Sequence, residues 1–363
     1  MSTKAAFHGS DFEFVEKEYN IPKEQIVSFS ANINPLGISP MLRQGLAEHI
    51  DAVMEYPDRE YTALRASIGR YTGAEPHQIL VGGGATELIS LFIKNIAPKR
   101  AMLINPTYSE YAREIGLEGG ELVSYQLQPE QEFQIDLDGL CAKLDPSFDL
   151  LILCNPNNPT SSAVHQDGLR RILSHCKTNG TYVMVDETYA EFAPNLEEIT
   201  AVPLLKEFDN LLILRGVSKF FAAPGLRLGY GMTSNEEVLS YINSTKNPWT
   251  LNALAAAAGC QMFEDTAYIQ RTRTFTHQEL ARLCGILRQE ESLHVYPPAA
   301  NFVLLRLCKE GLTSGAVFDH CIRQGLMLRD CASFPGLGEN HVRFCLNLPE
   351  QNDRLVAALK ELL

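Results

Sequence analysis

Lys219 stands in the segment Leu211-Leu-Ile-Leu-Arg-Gly-Val-Ser-Lys-Phe-Phe-Ala-Ala-Pro-Gly-Leu-Arg-Leu-Gly-Tyr230, between an apolar run and a Pro-Gly breaker. A primary amine there can do one of two things. It can sit charged on a solvated loop, where most lysines are found. Or it can attack a carbonyl cofactor and hold it as a Schiff base, with Ser218 and Arg227 gripping a phosphate beside it. The segment alone leaves both readings open. Residues that could complete the second chemistry lie upstream: Asp186 and Tyr189 in Thr181-Tyr-Val-Met-Val-Asp-Glu-Thr-Tyr-Ala190, and Asn158 in Asn155-Pro-Asn-Asn-Pro-Thr160. Tyr108 follows Asn105-Pro106, and Ala85 and Thr86 follow the glycines Gly82 to Gly84.

Taken singly, each of these is bland. A glycine turn ahead of a helix is usually plain connection, and this one lacks both the P-loop lysine and the dinucleotide spacing. A doubled Asn-Pro is usually a turn, and an aromatic at a strand end is usually packing. Together they make a set. A lysine nucleophile, a carboxylate, a hydroxyl-and-amide pair, and a helix start with an arginine are what pyridoxal 5′-phosphate requires. The carboxylate matters because it raises the pKa of the ring nitrogen and keeps it protonated.

The elements that must position this set are short buried strands. Ile79 to Val81, Ala101 to Ile104, Phe148 to Cys154, Thr181 to Asp186 and Leu211 to Leu214 are apolar runs too short for helices. Helical patterns such as Gln166 to Asn179 lie between them, so residues 79 to 232 predict a mostly parallel, helix-covered sheet. Open sheets of this kind bind ligands at the carboxyl ends of their strands, where the candidate residues fall. Further helices are expected over Met41 to Ala52, Tyr61 to Tyr71, Glu236 to Ser244, Leu251 to Tyr268 and about Thr276 to Gln289. A smaller α+β region then follows. Its strands are Phe302 to Leu307, Leu326 to Arg329 and His341 to Leu346, and its helices are Ala316 to Gln324 and Asp353 to Leu363. The division expected is an N-terminal arm over 1–40 belonging with the small domain, a large domain over 41–270, and a small domain over 271–363.

Composition narrows the classes of function. The 363 residues are 45% hydrophobic and 21% charged, the balance of a globular protein with a sizeable core. A formal net charge of −13 argues against nucleic acid or an anionic membrane as a partner. The nine cysteines are scattered without a CxxC pair, which suggests neither a zinc site nor a disulfide framework and points to a reducing cytoplasm. No apolar run approaches the length needed to span a membrane.

Asn-Pro-x-Asn-Pro-Thr, Asp-Glu-x-Tyr, Ser-Lys and Gly-Leu-Arg-Leu-Gly, in this order along nearly the whole chain, resemble the fold-type I aminotransferase superfamily. The resemblance implies an α/β large domain with a mostly parallel helix-covered sheet, a smaller α+β domain, and pyridoxal 5′-phosphate as cofactor. By the same resemblance, Lys219 binds the cofactor and moves protons at Cα, and Asp186 pairs with the ring nitrogen. Asn158 and Tyr189 contact the phenolic oxygen, and Tyr108 stacks on the ring. Ala85, Thr86, Ser218 and Arg227 hold the phosphate, with Tyr56 reaching over from a second subunit of a homodimer. Many relatives carry Ser or Thr where this chain has Gly216, so one phosphate hydroxyl is absent.

Within the superfamily, two branches resemble the chain. The threonine-phosphate decarboxylases of cobalamin synthesis do so through His8-Gly9, Phe29-Ser-Ala-Asn-Ile-Asn-Pro-Leu-Gly37, Pro248-Trp-Thr-Leu-Asn-Ala253 and Arg329-Asp-Cys-Ala-Ser-Phe-Pro-Gly-Leu337. The histidinol-phosphate aminotransferases are the alternative, acting on histidinol phosphate or a related phosphorylated or phosphonate amine. Asn347 departs from the Arg-x-x-x-Arg pattern of many of the decarboxylases. The decarboxylase resemblance implies a phosphorylated amino acid as substrate, with His8, Asn32, Asn158, Arg329 and Arg343 around it. Bidentate guanidinium groups at Arg329 and Arg343 suit both its carboxylate and its phosphate.

Overall fold

A computed structural model describes residues 12–363. In chain order its strands are β1 (Val27–Ser28), β2 (Ile79–Gly82), β3 (Arg100–Asn105), β4 (Glu121–Gln126), β5 (Leu150–Cys154), β6 (Tyr182–Asp186), β7 (Leu211–Gly216) and β8 (Gly229–Met232). After them come β9 (Leu293–Val295), β10 (Phe302–Leu307), β11 (Leu326–Met327), β12 (Arg329–Asp330) and β13 (His341–Cys345). Seven of these form one sheet in the order β2-β8-β7-β6-β5-β3-β4. All its pairings are parallel except those of β8, which runs antiparallel to β2 and β7. Every residue of β5 and β7 is buried, as expected of strands covered on both faces. The molecule is an α/β protein with a mostly parallel central sheet.

A second, antiparallel sheet has the order β12-β13-β10-β9. Its core gathers Val303, Phe344 and Leu355 with Leu280 and Leu283 of the helix Thr266–Leu287. Phe29 from the N-terminal segment is buried in the same core, and β1 pairs in parallel with β11. The first turn of Thr266–Leu287 instead packs Tyr268 and Ile269 into the core of the large sheet. One unbroken helix therefore runs from one core into the other.

Three local expectations are corrected. The helix expected over Leu251 to Tyr268 is two. Ala253–Met262 ends before Asp265, whose carboxylate accepts from the Tyr268 main-chain amide and starts Thr266–Leu287 ten residues ahead of the expected start at Thr276. The strand expected over Leu326 to Arg329 breaks at Leu328, because β11 joins β1 and β12 joins β13 in different sheets. Finally, β4 was not expected. It is an edge strand with most of its side chains partly or fully exposed, so it lacks the apolar run that marks its neighbours. Among the described residues no helix is long and apolar enough to cross a membrane.

Candidate functional site

Because β8 is antiparallel to both β2 and β7, strands β2, β3, β5, β6 and β7 all point the same way. Their carboxyl ends meet in a cavity of about 630 Å³. Lining it are Ala85 and Thr86 after β2, Tyr108 after β3, Asn158 after β5, Asp186 and Tyr189 at the end of β6, and Ser218 and Lys219 after β7. Arg227, Asn32, Arg329 and Arg343 line it too. Among the described residues, Tyr56 and Asn347 are not there. Tyr56 is 81% exposed outside the cavity, its ring 4.8 Å from that of Trp249. His8 lies outside the described residues. Asn347 does not line the cavity; its side-chain amide donates to the Ser28 carbonyl at 2.8 Å.

Strand alternation decides which carboxylate reaches the cavity. Asp186 and Glu187 point to opposite sides. Glu187 is fully buried behind the sheet and neutralised by Arg215 at 2.7 Å, leaving Asp186 to the cavity. Asn157, next to Asn158, donates to the Pro106 carbonyl at 2.8 Å and accepts from the Thr107 hydroxyl at 3.1 Å. The loops after β3 and β5, which carry Tyr108 and Asn158, are thereby tied together.

The anion end is built from backbone. The helix Ala85–Ile96 begins at the cavity with no side-chain cap, so its first N–H groups remain available to a ligand. Gly84 precedes it at φ +98°, and a Cβ there would stand 2.3 Å from the Arg227 guanidinium. The positive φ strains any side chain at that position, and Arg227 would have to move aside for one. Arg227 itself donates to the Gly83 carbonyl at 2.9 Å, which holds its charge against the helix start. At Gly216 a Cβ would meet Ala85 Cβ at 3.5 Å, an ordinary contact, so a side chain is missing there by choice of residue and not by lack of room.

The segment after β1 holds Lys219 at both ends. Lys219 Nζ donates to the Ala31 carbonyl at 2.7 Å, and the Asn34 main-chain N–H donates to the Lys219 carbonyl at 3.0 Å. Burial, helped by the positive charge of Arg343, pushes the Lys219 amine down to about 8. At pH 7 about a tenth of it is therefore the uncharged nucleophile, far more than for an ordinary lysine. Arg343 donates to Asn158 Oδ1 and, at 2.6 Å, to the Ser30 carbonyl, while Asn32 donates to the Tyr189 hydroxyl at 3.3 Å. Arg329 is half-buried, donates to the Ser333 hydroxyl at 3.2 Å and lies 5.2 Å over the Phe334 ring. Burial also pushes the Tyr189 hydroxyl up, keeping it protonated and able to donate.

Sequence reasoning missed several lining residues. Tyr111 donates to Asp186 Oδ2 at 2.6 Å, and Thr188 donates to Asp186 Oδ1 through both its amide and its hydroxyl. Tyr111 sits three residues after Tyr108 on the helix Ser109–Leu117, and that spacing next to a strand end was the one available signal. Ser30 and Ala31 contribute main-chain carbonyls, which leave no mark on residue type.

Pyridoxal 5′-phosphate fits this donor set. An amine with a lowered pKa, an enclosed carboxylate, an anion cup that glycine at position 84 leaves open, and a phenol-amide pair all face one cavity. Ser30 Oγ, Asn32 Oδ1 and Arg343 Nε are also buried without a hydrogen-bond partner, which suits a polar ligand.

The family model for aminotransferase class I and II matches residues 24–359. A threonine-phosphate decarboxylase from Salmonella typhimurium is 34% identical over 356 residues, covering 98% of this chain and 96% of the relative. The crystal structure of a histidinol-phosphate aminotransferase from Clostridium acetobutylicum superposes with a TM-score of 0.86 at 31% identity, over 92% of this chain and 98% of that one. That of a histidinol-phosphate aminotransferase from Sinorhizobium meliloti, in complex with pyridoxal 5′-phosphate, has a TM-score of 0.83 at 22% identity, over 99% of this chain and 95% of that one.

Proposed function

The chain belongs to the class I and II aminotransferase family and its cofactor is pyridoxal 5′-phosphate, and from that premise we propose that it decarboxylates a phosphorylated amino acid. The substrate proposed is O-phospho-L-threonine, with O-phospho-L-serine second, and the product is an amino alcohol phosphate for the nucleotide loop of cobalamin. One observation carries the reading. Arg329 and Arg343 face each other as a cross-strand pair between β12 and β13, and both line the cavity that holds Lys219. Like charges directly opposite each other destabilise a ladder unless anions sit between or beside them. A substrate with both a phosphate and a carboxylate supplies two.

The cofactor, when bound, draws off the electron pair released as a bond to the substrate's Cα breaks. What the protein does is bind and orient. Arg329, stacked on Phe334, takes the phosphate. Arg343 shares its charge with Asn158 and the Ser30 carbonyl, so it can hold a carboxylate without stabilising it too far as an anion. How Arg329 and Arg343 orient the substrate would decide the outcome: a carboxylate placed for release would give decarboxylation, and a Cα–H placed for removal would give amino transfer. Asp186 would keep the ring nitrogen of the bound cofactor protonated. Lys219, with a pKa near the working pH, returns a proton to Cα.

Incubation with O-phospho-L-threonine should release CO₂ and yield aminopropanol phosphate without 2-oxoglutarate. O-phospho-L-serine should follow within about tenfold, since one methyl group is worth only about 1 kcal/mol. A second reading is favoured by the 31% identical aminotransferase structure. It requires no CO₂ and 2-oxoglutarate-dependent transfer from histidinol phosphate, and that outcome would replace the first.

A homodimer belongs to the same proposal. Ile50, Val53, Met54, Tyr56 and Trp249 form an exposed apolar stripe, with Met54 77% exposed. A second copy would cover it and bring Tyr56 to the partner's phosphate. Sedimentation of the active protein should give twice the chain mass; a fully active monomer would contradict the arrangement.

A further inference from the structure

The hydrogen bonds around Asp186 are unequal. Its Oδ1 accepts two, from the Thr188 amide at 2.9 Å and the Thr188 hydroxyl at 2.6 Å. Its Oδ2 accepts one, from the Tyr111 hydroxyl at 2.6 Å. A carboxylate oxygen has about two lone-pair sites. Oδ1 is therefore filled, and the remaining acceptor site belongs to Oδ2, the oxygen that Tyr111 holds. Tyr111 is fully buried, and its ring meets that of Tyr108 edge-on, with centroids 5.6 Å apart at 87°. Burial pushes the Asp186 carboxyl up, and the hydrogen bonds from Thr188 and Tyr111 offset part of that rise. Burial also pushes the Tyr111 hydroxyl well up, so it stays protonated and donates to the carboxylate.

We infer that Tyr111 is a positioning residue for the cofactor: its hydroxyl fixes Asp186 with one lone pair of Oδ2 left for the ring nitrogen, and its ring braces Tyr108. This rests on Asp186 being the ring-nitrogen partner. Thr188 pins the carboxylate from the far side, and Tyr111 sets the oxygen that does the pairing. The two aromatic residues, three apart on one helix start, thus carry different duties. Both line the cavity, but Tyr111 spends its hydroxyl on Asp186 and its ring edge on Tyr108, and so works through its neighbours.

The test is Tyr111→Phe, which keeps the ring and its contact with Tyr108 and removes only the hydroxyl. The holoenzyme is prepared with cofactor ¹⁵N-labelled at the ring nitrogen, and its NMR signal is read without substrate. The wild-type signal should be that of a pyridinium, and Tyr111→Phe should move it toward neutral pyridine. The same variant should lose roughly ten- to a hundredfold in kcat, the weight of one hydrogen bond to a charged group, with KM changed by less than about twofold. Thr188→Val, which spares the Thr188 amide, should move the signal much less. An unmoved signal and unchanged kcat in Tyr111→Phe would overturn the inference, and so would an equal displacement in Thr188→Val. Because the NMR signal is read without substrate, it does not depend on which bond at Cα the enzyme breaks. A neutral pyridine already in the wild type would instead overturn the role of Asp186 itself.

Discussion

Lys219→Ala is expected to lower turnover by at least about four orders of magnitude and to leave a protein that loses its cofactor on dialysis. Two functions go at once: the covalent hold on the cofactor and the proton that returns to Cα. The geometry makes replacement by another group difficult. Lys219 Nζ is held at 2.7 Å on the Ala31 carbonyl, and Arg343, also in the cavity wall, is engaged with Asn158 and the Ser30 carbonyl. The pH dependence follows from the same site. Burial favours the uncharged amine, so cofactor attachment to the wild-type apo-protein should quicken as pH rises through about 8 and level off above it. A solvated lysine would keep gaining to about 10.4. Absorbance of the lysine-bound cofactor reads both results, and near-wild-type turnover in Lys219→Ala would remove the lysine from its assigned role.

Asp186→Asn is expected to cost about three orders of magnitude in kcat, or about 4 kcal/mol of transition-state stabilisation, with the fold intact. The change is nearly isosteric. Its carbonyl oxygen can still accept both bonds from Thr188, and its amide can face the Tyr111 hydroxyl oxygen. What changes is the sense of the bond to the ring nitrogen. A carboxylate accepts a proton-bearing nitrogen, whereas the amide presents N–H and favours a bare one. The variant should therefore bind the cofactor and fail in the chemical step. Steady-state kcat on protein of unchanged melting temperature reads this directly, and full activity would mean that another carboxylate does the work.

The contrast between these residues and Tyr111 shows what a sequence carries. Asp186 and Lys219 follow apolar runs that are legible as buried strands, and a charged residue just past such a run is conspicuous. The α/β class and the parallel order of the sheet were legible for the same reason. Tyr111 was not, because an aromatic inside a helix reads as packing, and its hydroxyl gains meaning only when the strand end carrying Asp186 is beside it. Ser30 and Ala31 act through main-chain carbonyls, which no residue type reports. The break at Leu328 was hidden because the two halves of one apolar stretch pair with different sheets, a tertiary choice that period and propensity do not encode. Gly84 shows the opposite case: its φ of +98° and the guanidinium beside it explain a glycine that looked like plain connection.

Which bond at Cα breaks is the central question, and isotope placement answers it in one reaction. O-phospho-L-threonine is turned over in D₂O and the phosphorylated product is analysed by mass spectrometry and NMR. Decarboxylation keeps the original hydrogen on the former Cα and adds one deuterium from solvent in place of the carboxylate. The account predicts a singly deuterated aminopropanol phosphate, with CO₂ formed in equal amount. Loss of the original Cα hydrogen with the carboxylate retained, giving a keto acid and needing an amino acceptor, would contradict it.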